Sequence, residues 1–236
     1  MSFNFNGIEK TYLSVLKGTS NQPWAPVSRS FHTVPGRAGS YMQKKKIIGN
    51  RELPQSVAIK ASDKYELEKI KEDMAAWLIH DEPKPLIFPE EPDRTYYAVV
   101  DGSFDPDEVV SLGKGTIPFV CPDPYKYGQE VTAGIGSVVN VGSVEANPLF
   151  SIRFTGTVKN FTLTNQQGKV IKIIWNFVQN DLLVIDTAAR KITINGLLKM
   201  TALDLSSNWF NLLPGENTIT ATGSANTTIT FRPRWL

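Results

Sequence analysis

The sequence predicts a mainly β protein in two domains: a β-rich first half holding one α-helix, and a second half built as a β-sandwich or jelly roll. Three observations carry this. Only one stretch has helical periodicity, from about Asp63 onward. After roughly residue 130, short alternating runs recur about every 8–12 residues with turn residues between them, the spacing of sandwiches and jelly rolls. Between these regimes residues 119–127 read Phe-Val-Cys-Pro-Asp-Pro-Tyr-Lys-Tyr. Pro122 and Pro124 each fix φ and remove a donor, so no central strand continues through them. The expected domains are residues 1–130 and 131–236, with Pro122, Pro124 and Tyr125 as the junction between them.

In the first half, β-like runs at residues 3–5, 12–16 and 57–59 are broken by Gly and Pro. The helix follows. Asp63 can cap it, and Glu66 three residues on suits the reciprocal partner of a capping box. Leu67, Ile70, Met74, Trp77 and Leu78 fall on one helical stripe. Pro83 and Pro85 are expected to stop it. Residues 96–100 and 116–120 then read as strands leading to the junction.

In the second half, Gly134, Gly136 and Gly142 punctuate a loose Ser/Val stretch before alternation sets in. Ile152 and Phe154 flank Arg153, and Phe161 and Leu163 alternate with threonines. Ile171, Ile173, Trp175 and Phe177 share one phase, so Trp175 is expected to face the core. Leu183 and Ile185 belong to the next strand. Ile192 and Ile194 lead into Asn195-Gly196, a favoured two-residue hairpin turn. Further turns fall at Gln166-Gln167-Gly168 and Asn180-Asp181. Residues 209–213 read as a loop plug on the sandwich.

Composition narrows the function. Across 236 residues, 41% are hydrophobic and 20% charged, as in folded globular proteins. The formal charge of +2 is too small for a general affinity for nucleic acid. One cysteine excludes an intrachain disulfide framework. The start, Met-Ser-Phe-Asn-Phe-Asn-Gly, lacks a basic stretch followed by an apolar run, and no segment approaches the roughly 18 apolar residues of a membrane span. Synthesis in the cytoplasm without membrane insertion is expected.

Catalysis finds little support. His32, His80 and Cys121 lack close ligand spacing, so no metal site is expected. Cys121 follows strand alternation and reads as a small buried hydrophobe. The acids Glu90, Glu91, Asp105, Asp107 and Glu108 sit in Pro-rich loops, where carboxylates are solvated. No phosphate-cradling loop or nucleophile elbow occurs. A non-enzyme without cofactor is expected. Gln43-Lys44-Lys45-Lys46, with Arg37 and Arg51 nearby, is the basic concentration. It is either a solvated loop or a lysine-protected edge strand, or a contact with an acidic neighbour or passing nucleic acid. The rings of Trp175, Trp209 and Phe210 leave open a carbohydrate-binding module.

Four stretches taken together resemble a known family: Trp77-Leu-Ile-His-Asp-Glu-Pro83 with Leu86-Ile-Phe88; Phe119-Val-Cys-Pro-Asp-Pro-Tyr125; Asn140-Val-Gly-Ser-Val-Glu-Ala-Asn-Pro148; and Asn208-Trp-Phe-Asn-Leu-Leu-Pro-Gly-Glu-Asn217-Thr-Ile219, followed by Ile229-Thr-Phe-Arg-Pro-Arg234. In this order they are similar to the distal tail (Dit) proteins of siphophages and prophages of Gram-positive bacteria. The resemblance implies a ring-forming first domain assembled as a homo-hexamer and an outward galectin-like sandwich. It implies a tail-tip or baseplate hub in the virion, made in the host bacterial cytoplasm. The hub would join the tail tube protein to the tip fibre or tail-associated lysin, and its channel would pass the tape measure protein and DNA. Lys44, Lys45, Lys46 and Arg51 are the candidate partner or channel contacts. The last residues, 232–236, are expected to return to the first domain, with Pro233 ending the final strand. The alternative function is a module recognising host cell-wall glycans.

Overall fold

The computed structural model describes residues 2–16, 23–104, 107–109, 112–223 and 225–236. The chain divides into two compact units, Met1–Lys126 with Leu236, and Tyr127–Trp235.

In the first unit the strands are β1 (Asn4–Phe5), β2 (Leu13–Val15), β3 (Val27–Thr33), β4 (Ser40–Ile48), β5 (Arg51–Lys60), β6 (Lys84–Ile87), β7 (Tyr96–Val100), β8 (Asp107–Val109) and β9 (Leu112–Cys121). The helix α1 spans Lys64–Leu78. The main sheet runs β1-β6-β7-β9-β5-β2, with β8 also on β9, while β3 and β4 pair only with each other. Its spine is the β5–β9 ladder, in register from Arg51↔Cys121 to Lys60↔Leu112. Pro54 and Pro118 face each other there, so both missing donors fall on one rung.

The stripe Leu67, Ile70, Met74, Trp77 and Leu78 is the buried face of α1. Trp77 anchors it: its indole N–H donates to the Phe5 carbonyl at 3.1 Å, and its ring stacks on Phe3 at 5.6 Å. At the N-terminus, Asp63 Oδ1 accepts the Glu66 N–H at 2.7 Å. The reciprocal bond is displaced by one residue, because the Glu66 carboxylate accepts the Ser62 N–H at 2.6 Å and the Ser62 hydroxyl as well. The prolines do not stop α1. Ile79 turns extended (φ −86°, ψ 115°) before Pro83 is reached, and Pro85 already belongs to β6.

The second unit opens at Tyr127, the second residue of β10 (Lys126–Tyr127), and continues through β11 (Val131–Gly134), β12 (Gly136–Asn140), β13 (Leu149–Phe154), β14 (Val158–Asn165), β15 (Val170–Phe177), β16 (Leu182–Asp186), β17 (Lys191–Ile194), β18 (Leu197–Leu198), β19 (Gly215–Ala221), β20 (Ala225–Phe231) and β21 (Arg234–Trp235). Two sheets, β11-β20-β13-β16-β17-β18 and β12-β19-β14-β15, make the sandwich. Their inner faces share one core, centred on Phe154, which stacks on Phe177 at 3.9 Å and meets Phe161 edge-on at 5.5 Å. Asn195 and Gly196 both have positive φ, 50° and 79°, the backbone that a two-residue hairpin requires. The plug is present: Phe210 is buried and Trp209 packs partly against the core.

Trp175 does not face the core. Between Lys159↔Asn176 and Phe161↔Ile173, β15 carries two residues, Ile174 and Trp175, opposite the single Asn160. Asn160 takes φ 60° there. The bulge breaks the alternation, leaving Trp175 36% exposed while Ile171, Ile173 and Phe177 stay buried.

Buried asparagines tie down the loops. Asn140 donates to the carbonyls of Val144 and Leu212 and accepts from the Gly142 N–H. Asn217 closes the 213–217 turn from both sides, accepting from the Leu213 N–H at 2.8 Å and donating to the Leu213 carbonyl at 2.7 Å. A Cβ on Gly142 would stand 2.5 Å from the Arg234 carbonyl oxygen, closer than packed atoms approach. Near the end of the chain, Gly128 N–H donates to the Pro233 carbonyl at 2.9 Å, which ties Pro233 to the opening of the second unit, while Leu236 groups with the first.

Candidate assembly surface

The β3–β4 hairpin stands out by its exposure. Every residue of both strands is exposed except the half-buried Ile48. It is registered Val27↔Ile48, Ser28↔Ile47 and Arg29↔Lys46, then shifts to Phe31↔Met42. The shift places Lys44 and Lys45, with Gln43, in a bulge of β4, while Lys46 lies directly opposite Arg29. Phe31 and Met42 form an apolar rung, 59% and 53% exposed. Ile47 and Tyr41 add further exposed apolar surface, with the Arg37 guanidinium 3.9 Å from the Tyr41 ring centroid. His32 Nε2 lies 2.5 Å from Gln43 Nε2, which makes it a polar strand contact. An isolated two-stranded hairpin is marginal in water, and among the described residues this one has no third strand beside it.

Its charge is equally lopsided. Residues 27–48 hold five cations and no acid, whereas the rest of residues 1–126 hold eleven cations against seventeen acids. The hairpin is thus purely cationic, while the rest of the unit carries a net excess of acid.

Arg51 does not belong to this basic surface. It opens β5 in the phase of Leu53, Val57 and Ile59, and only 2% of it is exposed. Its guanidinium lies 5.6 Å from the Tyr96 ring centroid, beside its ladder partner Cys121. Burial pushes the Cys121 thiol up to about 12, which removes it as a nucleophile at neutral pH. Tyr96 donates to Glu91 at 2.7 Å, and Lys126 pairs with the same carboxylate at 2.6 Å. Burial alone would raise Glu91, but the hydrogen bonds from Lys126 and Tyr96 outweigh it and hold its pKa below the usual carboxylate value. Burial, reinforced by Glu91, pushes the Tyr96 phenol up.

The remaining candidates fall apart in space. His80 lies beyond the end of α1, its ring stacked on Phe5 at 5.8 Å. Asp105 lies outside the described residues. Among the described residues, no group of three or more His, Cys, Asp or Glu is placed to hold a metal ion, and no helix is long and apolar enough to cross a membrane. At the junction β9 ends at Cys121, Pro122 is exposed, and Pro124 and Tyr125 are half-buried. Asp123 Oδ1 accepts the Tyr125 N–H at 3.2 Å and stiffens that turn.

Known proteins share this build. Residues 8–121 match the phage tail protein RIFT-related domain, and residues 141–235 match the C-terminal domain of siphovirus-type tail components. The distal tail protein of Bacillus phage SPP1 is 34% identical over 169 residues, covering 68% of this chain and 66% of that protein; the alignment thus spans just under two thirds of the relative's length. The crystal structure of SPP1 Dit, described as a paradigm of the hub adsorption apparatus in phages infecting Gram-positive hosts, superposes with a TM-score of 0.88. That match covers 100% of this chain and 99% of the other at 24% identity, which bears on the fold alone. With the two family models falling in order on its two halves, this chain belongs to the distal tail protein family, the structural tail components of siphophages.

Proposed function

We propose that this chain is a tail-tip hub: six copies form a ring whose channel stays open for the tape measure protein and DNA. The ring joins the tail tube protein to the tip fibre or tail-associated lysin. The uncovered cationic β3–β4 hairpin carries this reading. A closed ring needs a head-to-tail interface in which two different patches of each subunit meet. The hairpin supplies one patch, with an apolar rung for burial and five cations. The acidic remainder of the neighbouring first unit supplies the other, and the opposite signs steer and register the pairing. Lys44, Lys45 and Lys46 act in this contact, and Arg51 acts inside its own unit. Pro122, Pro124 and Tyr125 stiffen the connection to the sandwich. The small net charge suits a channel that DNA must traverse without being gripped.

Sedimentation velocity with negative-stain imaging tests the proposal. The expected result is a ring of six, lost when residues 27–48 are replaced by a short Gly/Ser loop. A strict monomer at high concentration, with no ring induced by the tail tube and tip proteins, overturns it. Changing Lys44, Lys45 and Lys46 together to Ser, with assembly and DNA ejection scored separately, locates the lysines. Loss of assembly assigns them to the subunit contact, and intact rings with altered ejection assign them to the channel.

A further inference from the structure

The second unit carries a groove that the hub reading does not use. Two cavities adjoin on it, of about 280 Å³ and about 250 Å³. Both are lined by Asn147 and Ala188, so they adjoin as a trough of two pockets, each near the lower end of the size range of small-molecule sites. Each cavity has an aromatic ring in its lining, Tyr127 in the first, with the Arg232 guanidinium 5.9 Å from its centroid, and Trp209 in the second. Four cations line the trough: Arg232 and Arg234 in one cavity, Lys169 and Arg190 in the other. Two acids, Glu130 and Glu145, lie with them.

Local structure holds these groups in place. Arg190 takes φ 51° in the β16–β17 turn, a backbone that non-glycine residues seldom adopt and that is enriched at functional sites. The Asp186 carboxylate accepts the Ala189 N–H at 2.9 Å and pins that turn. Arg234 donates to the Glu145 carbonyl at 2.9 Å and to Asn147 Oδ1 at 3.4 Å, so the Asn147 amide N–H is left to donate elsewhere. Asn211 donates to the Glu145 carboxylate at 3.1 Å, fixing a donor–acceptor pair beside Trp209.

We propose that this trough binds a saccharide carrying negative charge. Flat aromatic rings offer apolar platforms for the faces of sugar rings. Amides and carboxylates exchange hydrogen bonds with hydroxyls, and Lys169 and Arg190 supply the charge that selects a carboxylate or phosphate substituent. The two carboxylates argue for sugar over nucleic acid: they accept from hydroxyls but repel a phosphodiester backbone, which has no donor to give them. Exposed Trp175 lies outside the trough, on the β15 bulge with Lys199 5.7 Å from its ring centroid, and serves as an internal control.

The test is titration of the full chain, followed by calorimetry and saturation-transfer NMR. The probes are oligogalacturonate, as the carboxylate source, and glucose 6-phosphate, as the phosphate source. Maltotetraose, inorganic phosphate and a ten-residue oligodeoxythymidylate are the comparisons. At least one charged saccharide is expected to bind with a Kd of about 1 mM or tighter, more weakly as salt rises. Arg190→Gln and Trp209→Ala should each lower affinity roughly tenfold, with Trp175→Ala unchanged. Arg190 is exposed, so its variant reports binding even if Trp209→Ala melts early. Which charged probe binds tells carboxylate from phosphate. No binding by either at about 10 mM, equal affinity for maltotetraose or inorganic phosphate, tighter binding of the oligonucleotide, or loss on Trp175→Ala would each overturn it. None of these results bears on ring assembly, which rests on the first unit.

Discussion

The hairpins β3–β4 and β16–β17 are both antiparallel pairs, yet they dispose their side chains in opposite ways. In β16–β17, Leu183, Ile185, Ile192 and Ile194 all point into the sandwich and are 0–3% exposed. In β3–β4, Phe31, Met42 and Ile47 carry comparable apolar surface and leave more than half of it in water. The first pair has its covering sheet within the same chain. The second has none among the described residues, and it bears all five of its charges with one sign. The core of each body is buried within its own unit, while the hairpin's apolar side chains remain exposed, which is what the proposed subunit contact requires of them.

The contrast can be broken by cutting the same kind of side chain in both places. Phe154→Ala removes a ring stacked on Phe177 at 3.9 Å and should cost the second unit about 3–5 kcal/mol in urea unfolding. Asp63→Ala, which strips the cap from α1 in the first unit, should cost about 1 kcal/mol. Glu91 sharpens the picture through pH. Its folded pKa is depressed, so its contribution is fully present above the unfolded value of about 4.3 and is lost as pH falls through the lower folded value. Glu91→Gln should therefore flatten the acid limb of first-unit stability below about pH 4, by a small amount because the group is partly exposed. Phe31→Ala should be the mildest for the isolated chain, under about 0.5 kcal/mol, while still blocking ring formation in sedimentation. A monomer destabilised by Phe31→Ala as much as by Phe154→Ala would show that the hairpin already has an internal partner.

Where one chain supplies both faces of a contact, the sequence was readable. The five stripe residues of α1 are the five it buries, and Ile171, Ile173 and Phe177 are inward as their spacing demands. Trp175 defeats that logic because a bulge is a property of two strands, invisible in either alone. Arg51 stands close to the lysines along the chain, but its phase with Leu53, Val57 and Ile59 is the better guide to its burial. Of the β3–β4 pair only the lysine run suggests an edge strand, because with no face buried there is no alternation to mark the rest. The buried asparagines went unread for another reason: an asparagine that satisfies loop carbonyls looks, in sequence, like any turn residue. Their presence in the Asn140–Pro148 and Asn208–Ile219 stretches gives those motifs a physical meaning.

Cys121 has one more consequence. A thiol with no exposed surface and a pKa near 12 is silent to alkylating reagents at neutral pH while β5 and β9 stay zipped. As the only cysteine in the chain, it is a built-in stopwatch: the pace at which iodoacetamide consumes it counts the moments when the spine of the first unit parts. Timed in free chains and again in assembled particles, it reads how much neighbours slow that breathing, with no label added to the protein.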